Sequence, residues 1–131
     1  MPKVMVIDDD RAIVELMEMM LAVEGFRTTS ICKSTNALDH VRQEMPDLIL
    51  LDLMMPEVDG WQVLSALKSD PNLQHIPVIV VTARVDAIVD PPGDLVSNLA
   101  GHLIKPFEVE DLVCAINRVL DVGEVEQLEM V

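Results

Sequence analysis

The stretch Leu48 to Gly60, read as LILLDLMMPEVDG, constrains the fold more than any other part of the chain. Leu48, Ile49, Leu50 and Leu51 run unbroken into Asp52, and the turn signals Pro56 and Gly60 follow. A short apolar run without alternation fits a strand buried on both faces, which belongs in a parallel sheet covered by helices on either side. Asp52 then stands at the strand's carboxyl end, where open α/β sheets gather their chemistry.

The rest of the chain repeats the same β-α beat. Lys3 to Ile7 (KVMVI) reads as a first strand running into three carboxylates, Asp8, Asp9 and Asp10. Ile13, Leu16, Met17 and Met20 recur at helical spacing, with an aspartate before them able to cap the first turn and Gly25 closing the helix. Phe26 to Ile31, enriched in Thr, predicts a second strand. Ser34 caps a helix with Ala37, Leu38 and Val41 on its buried face, and Pro46 stops it. After Gly60, Val63, Leu64 and Leu67 mark a third helix that ends near Pro71. Ile76 to Val81 predicts a fourth strand terminating at Thr82, and Gly101 to Ile104 a short fifth strand running into Lys105, Pro106 and Phe107. Val109, Leu112, Val113, Ile116 and Leu120 build the last helix. Connections too long for hairpins require parallel strands with helices on both faces. Residues 84–100 break the pattern, because Pro91, Pro92 and Gly93 interrupt an otherwise helical spacing. A loop or broken turn is expected up to Pro92, with a short helix from Asp94 to Leu99.

A chain of 131 residues suits one domain burying roughly two-thirds of the surface exposed when unfolded. Apolar residues make up 50% of it with only two Phe, one Trp and no Tyr, so the core must be aliphatic with methionine filling gaps. The net charge of −14 repels phosphate backbones and disfavours direct nucleic-acid binding. Met1 leads almost directly into a strand and no long apolar run occurs, so the expectation is a cytoplasmic chain, neither exported nor inserted in a membrane. Cys32 and Cys114 lack metal-ligand spacing and read as reduced, buried residues. The methionine groups read as core or surface residues, and His40 and His75 carry no signal. His102 reads as a partly buried strand residue rather than a base.

In a parallel sheet the carboxyl ends of all strands share one edge, which places Asp8, Asp9, Asp52, Thr82 and Lys105 together. Taken singly, Asp8 to Asp10 also suit a solvated loop and helix cap, and Thr82 a strand residue satisfied by a backbone bond. Three neighbouring carboxylates raise one another's cost of ionising. A divalent cation relieves that repulsion, and hard oxygen ligands with few fixed protein bonds suit Mg2+. Lys105 could hold a phosphoryl oxygen as a compact cation, and the Thr82 hydroxyl could donate to another. A carboxylate can itself accept a phosphoryl group as an acyl phosphate, so the set is suited to phosphorylating an aspartate.

The segments VIDD (Val6 to Asp9), LLDLMMPEVDG (Leu50 to Gly60), VVTA (Val80 to Ala83) and KPF (Lys105 to Phe107) resemble, in order and spacing, the receiver domain of two-component response regulators over about residues 3 to 120. The resemblance implies a single-domain, doubly wound (βα)5 flavodoxin-like fold, sheet order 2-1-3-4-5, with an atypical or shortened fourth helix here. A receiver domain over residues 1–121 and an acidic tail or linker over 122–131 are expected. By the family pattern Asp52 matches the phosphoacceptor. Asp9 would bind Mg2+ directly, Asp8 mainly through water, and the Met54 backbone carbonyl would supply another ligand. Thr82 matches the switch hydroxyl and Lys105 the lysine that pairs with the aspartate or its phosphate. The resemblance further implies a sensor histidine kinase or histidine phosphotransfer protein as donor, a downstream effector or fused output domain, and regrouping near the end of the sheet on phosphorylation.

Two departures stand out. His102 occupies a place where many relatives carry Tyr or Phe, and Pro91-Pro92-Gly93 falls where the usual fourth helix begins. Arg84 and Met54 flank the expected pocket and would affect how long an acyl phosphate lasts. The alternative reading is a receiver-like protein-interaction module independent of phosphorylation. A hydrolase turning over a small substrate through an aspartyl phosphate is disfavoured, because Met54 stands where such enzymes need an acid-base aspartate.

Overall fold

Side chains alternate across a strand, so a buried run must feed two hydrophobic layers at once. In β1 (Lys3–Ile7) and β3 (Leu48–Asp52), Met5, Ile7, Ile49 and Leu51 enter one core cluster, while Val4, Val6, Leu48 and Leu50 enter the other. The sheet is completed by β2 (Arg27–Ile31), β4 (Val78–Thr82) and β5 (Gly101–Ile104). All five strands are parallel in the order β2-β1-β3-β4-β5, as the sequence predicts. Among the described residues the helices are α1 (Arg11–Val23), α2 (Ala37–Glu44), α3 (Gly60–Ser69) and α4 (Val109–Leu120). Buried residues of α2 and α3 join the first cluster and those of α1 and α4 the second. The computed structural model describes residues 2–32, 37–53, 60–83 and 100–120. Ser34, Met54, Pro56, Arg84, the Pro91-Pro92-Gly93 interruption with its expected short helix, and the acidic tail lie outside them.

Several expectations need correction. The buried face of α1 is Val14, Met17 and Leu21, whereas Leu16 is about half exposed and Ile13 and Met20 are half-buried. The helix is apolar on most sides, so spacing alone admitted two faces roughly one residue step apart. His102 is exposed on β5, which ends the sheet order beside β4. Cys114 is exposed and Cys32 half-buried; both are free thiols, with Cys114 two positions from each of the core residues Leu112 and Ile116 on α4. Predicted strand and helix ends otherwise shift by one or two residues, as helix and strand termini commonly do.

The two clearest helix exits differ in chemistry. After α1, Gly25 adopts φ 90 while the Gly25 and Phe26 amides donate to Ala22 and Leu21, which closes the helix in a Schellman motif. After α2, the left-handed position is taken by Met45, with φ 44 and its amide donating to Val41 at 2.8 Å. A side chain in that conformation is strained, and Met45 is about half exposed, so packing offsets only part of it. Met45→Gly should therefore stabilise the fold by about 0.5–1 kcal/mol, read as a raised urea midpoint; a lowered midpoint would show that the left-handed turn carries no strain.

A second clamp joins α2 to the turn before β4. Arg42 donates to Asp39 at 3.2 Å and to Asp70 at 3.1 Å, while the Asn72 amide donates to Asp70 Oδ1 at 2.8 Å. The Asn72 amide, with Arg42 as a further cause, holds the Asp70 carboxyl below its usual value of 3.8. A carboxyl depressed in the fold contributes stability above its unfolded value and loses it as pH falls through the folded one. Asp70→Asn should thus lower the urea midpoint at pH 7, with the gap to the parent protein closing as pH falls below 3.8 and through the depressed folded value.

Candidate functional site

The register of the central strands brings the acidic side chains together. Ile7 pairs with Leu51, so the next step along β1 and β3 sets Asp8 beside Asp52. Asp8 continues the alternation of Val4 and Val6, and Asp52 that of Leu48 and Leu50, so both leave the sheet on the same side. The Asp8 amide still donates to Ile31 at 3.1 Å and the Lys105 amide to Thr82 at 2.8 Å, which carries the parallel ladder to the site. Asp8, Asp52 and Thr82 are buried, with relative exposures of 2%, 5% and 0%, while Asp9 is exposed. Carboxylate oxygens of Asp8, Asp9 and Asp52 all lie within 4.8 Å of one another, a grouping able to hold a metal ion.

Among the described residues, one cation faces this group. Lys105 Nζ donates to Asp8 Oδ2 at 2.9 Å and stands 3.8 Å from Asp52 Oδ2. Its shorter contact is therefore to Asp8 rather than to the expected phosphoacceptor. The other Asp8 oxygen accepts the Asp10 amide at 2.9 Å. Asp10 in turn caps α1, its Oδ1 accepting the Ala12 and Ile13 amides at 3.0 and 3.4 Å. At the other end, Asp111 Oδ2 accepts the Glu108 amide at 3.0 Å in a capping-box arrangement that starts α4 just beyond Lys105. The peptide between Lys105 and Pro106 is cis.

Among the described residues, three carboxylates gather around one ammonium, an excess of negative charge of the kind that a divalent cation balances. The structure thus brings together five of the residues singled out in the sequence, Asp8, Asp9, Asp52, Thr82 and Lys105, at one edge of the sheet. Asp10 and Gly60 had been read only as a cap and a turn signal. Asp10 proves to be tied directly to the cluster through Asp8, and Gly60 packs against the backbone of Asp52. The contacts that reveal them span separate elements and leave no local pattern in the sequence.

Fold and site define a doubly wound α/β module with an acidic pocket at the carboxyl edge of its parallel sheet. Response regulator receiver domains match residues 4–117 as a family, and the chain belongs to that family. It is 36% identical to the DNA-binding response regulator MtrA of Mycobacterium tuberculosis over 128 residues, covering 98% of this chain and 54% of that protein. It is 38% identical to the response regulator PleD of Caulobacter vibrioides over 106 residues, covering 81% of this chain and 23% of that protein. The chain thus spans about half, or less, of the length of these curated relatives. Among solved structures, the chemotaxis protein CheY4 of Vibrio cholerae superposes with a TM-score of 0.83 at 26% identity, covering 92% of this chain and 99% of that one. The N-terminal domain of a response regulator receiver protein from Methanoculleus marisnigri superposes with a TM-score of 0.74 at 32% identity, covering 92% and 97%.

Removing the Lys105 ammonium would leave Asp8, Asp9 and Asp52 facing one another with less compensation. Lys105→Ala should cost about 1–2 kcal/mol in metal-free urea unfolding, discounted because the lysine is partly exposed, and a divalent cation should recover part of the loss. A deficit insensitive to added cation would show that the lysine does not neutralise the cluster.

Proposed function

We propose that the chain is a phosphorylation-controlled signalling switch that accepts a phosphoryl group on Asp52 and thereby changes its affinity for a partner. The supporting observation is the grouping of Asp8, Asp9 and Asp52 beside Lys105, in a chain of the receiver family. In the transfer, the bond between phosphorus and the donor's imidazole nitrogen breaks and a bond to an Asp52 carboxylate oxygen forms. The donor is a sensor histidine kinase or a histidine phosphotransfer protein.

The donor set fits Mg2+: hard carboxylate oxygens within reach of one another, and an exposed Asp9 that leaves room for water. Asp9 and Asp52 would hold the ion directly, with the Met54 carbonyl as a further ligand. Asp8 would act mainly through water, since both of its oxygens already accept protein hydrogen bonds. When bound, the ion supplies charge neutralisation for the incoming phosphoryl oxygens. Lys105 holds a phosphoryl oxygen, exchanging part of its contact with Asp8 and Asp52 for the new charge. Thr82, wholly buried at the end of β4, offers its hydroxyl to the phosphoryl group, so that β4 and the chain beyond it respond to phosphorylation. The Mg2+-dependent gain and loss of this group are self-directed, and no small molecule is turned over.

The reading extends to the whole protein as a domain over residues 1–121 followed by an acidic linker over 122–131 that passes the signal to a downstream effector or a fused output domain. The DNA-binding response regulator MtrA is about twice as long as this chain, which supports an output element outside it. The net charge of −14 argues that the receiver itself does not contact nucleic acid. No helix among the described residues is long and apolar enough to cross a membrane, and a cytoplasmic location is the reading carried forward.

Intact mass after incubation with acetyl phosphate and Mg2+ tests the assignment. The expected result is a gain of one phosphoryl group that is lost on chelation of the metal or in Asp52→Asn, while the variant keeps its fold. Full labelling of Asp52→Asn would overturn the site. No adduct from either acetyl phosphate or a phosphohistidine donor, together with no binding of beryllofluoride, would leave a phosphorylation-independent interaction module.

A further inference from the structure

We infer that Gly60 is a positioning residue for the phosphoacceptor: its missing side chain lets the first turn of α3 seat directly on the backbone carbonyl of Asp52 and so holds that carboxylate in register with its site. The inference rests on the assignment of Asp52 as the phosphoryl acceptor.

Gly60 is buried at the start of α3, and its amide donates to the Leu53 carbonyl at 2.9 Å. A Cβ built on it would lie 2.4 Å from the Asp52 carbonyl oxygen and 2.6 Å from Leu53 Cα. Both obstacles are backbone, so no side-chain rotation can relieve them. Either α3 retreats or the end of β3 moves. Asp52 is in register with Val81 of β4, while Leu51, one residue earlier, is held on both sides by pairing to Ile7 and Val80. Whatever part of the displacement β3 takes up therefore falls on the last residues of the strand, at the reacting carboxylate. Gly101 supplies a contrast within the same sheet, since a Cβ there would meet only the flexible Ile79 Cγ1, at an ordinary 3.8 Å. The requirement for glycine at position 60 is one of close approach, because Gly60 is not among the residues with positive φ.

A shift of about 1 Å at a reacting group can lower a rate about 100-fold, whereas a purely structural role would alter only the fraction of folded molecules. The test compares the parent protein, Gly60→Ala and Gly101→Ala. Each is first brought well below its own melting transition, and the rate of phosphorylation by acetyl phosphate is then read by intact mass at saturating Mg2+. Gly60→Ala should react at least tenfold more slowly per folded molecule, and Gly101→Ala at the parent rate. An unchanged rate in folded Gly60→Ala overturns the inference, as does an equal loss in both variants. A parent protein that takes no phosphoryl group refutes the proposed function instead. Should Gly60→Ala fail to fold, amide exchange in the parent protein decides the matter. Beryllofluoride with Mg2+ should slow exchange of the Gly60 amide at least threefold relative to the Val80 amide in β4. No relative change would show that the α3 contact is indifferent to the state of Asp52.

Discussion

Two buried carboxylates on adjacent strands are tolerated here because one ammonium group stands between them. Lys105 Nζ lies 2.9 Å from Asp8 and 3.8 Å from Asp52, and the remaining Asp8 oxygen is satisfied by the Asp10 amide. Burying an ionised carboxylate without such partners is expensive enough that the group would neutralise or the structure would move. The lysine reaches this place because β5 is paired to β4, its own amide extending that ladder to Thr82. The order of strands is therefore also an arrangement of charge: three elements bring anions or a hydroxyl, and the edge strand brings the cation.

Among the described residues the carboxylates outnumber the cations at this edge. With Asp9 open to solvent, the grouping is one that could hold a divalent cation. The same lysine that stabilises the resting cluster is then the group with most to gain from a new anion. Arrival of a phosphoryl group would redistribute contacts among residues that begin α1, end β4 and precede α4. Those caps and ladders tie the chemistry to whole elements rather than to isolated side chains.

Much of this was legible in the sequence, for a physical reason. Buried parallel strands are written as apolar runs, and a run that stops at Asp52, Thr82 or Lys105 also announces which residues stand at the reactive edge. The sheet order and the common location of the five site residues follow from that together with the family resemblance. Amphipathic faces were harder to read: α1 has apolar residues on nearly every side, so the helical spacing of Ile13, Leu16, Met17 and Met20 did not single out Val14 and Leu21, which are buried with Met17. Exposure at His102 on β5 and at Cys114 on α4 depends on what packs over each element, which is not a local property. The shorter contact of Lys105 to Asp8 and the lack of room at Gly60 exist only once strands and helix are packed together.

The strand order also bears on how the chain is assembled during synthesis. β1 lies between β2 and β3, so both carboxylate-bearing strands can pair as soon as β3 has emerged, and β4 and β5 then add outward in the order in which they are made. Lys105 is delivered last of the site residues. A nascent chain that has formed only the first strands holds Asp8 and Asp52 side by side with no ammonium between them, and their repulsion opposes closing that edge early. The domain is thereby biased to complete its fold in one late step, when the final strand docks and the cation arrives with it, rather than to linger as a partly built sheet with an exposed edge.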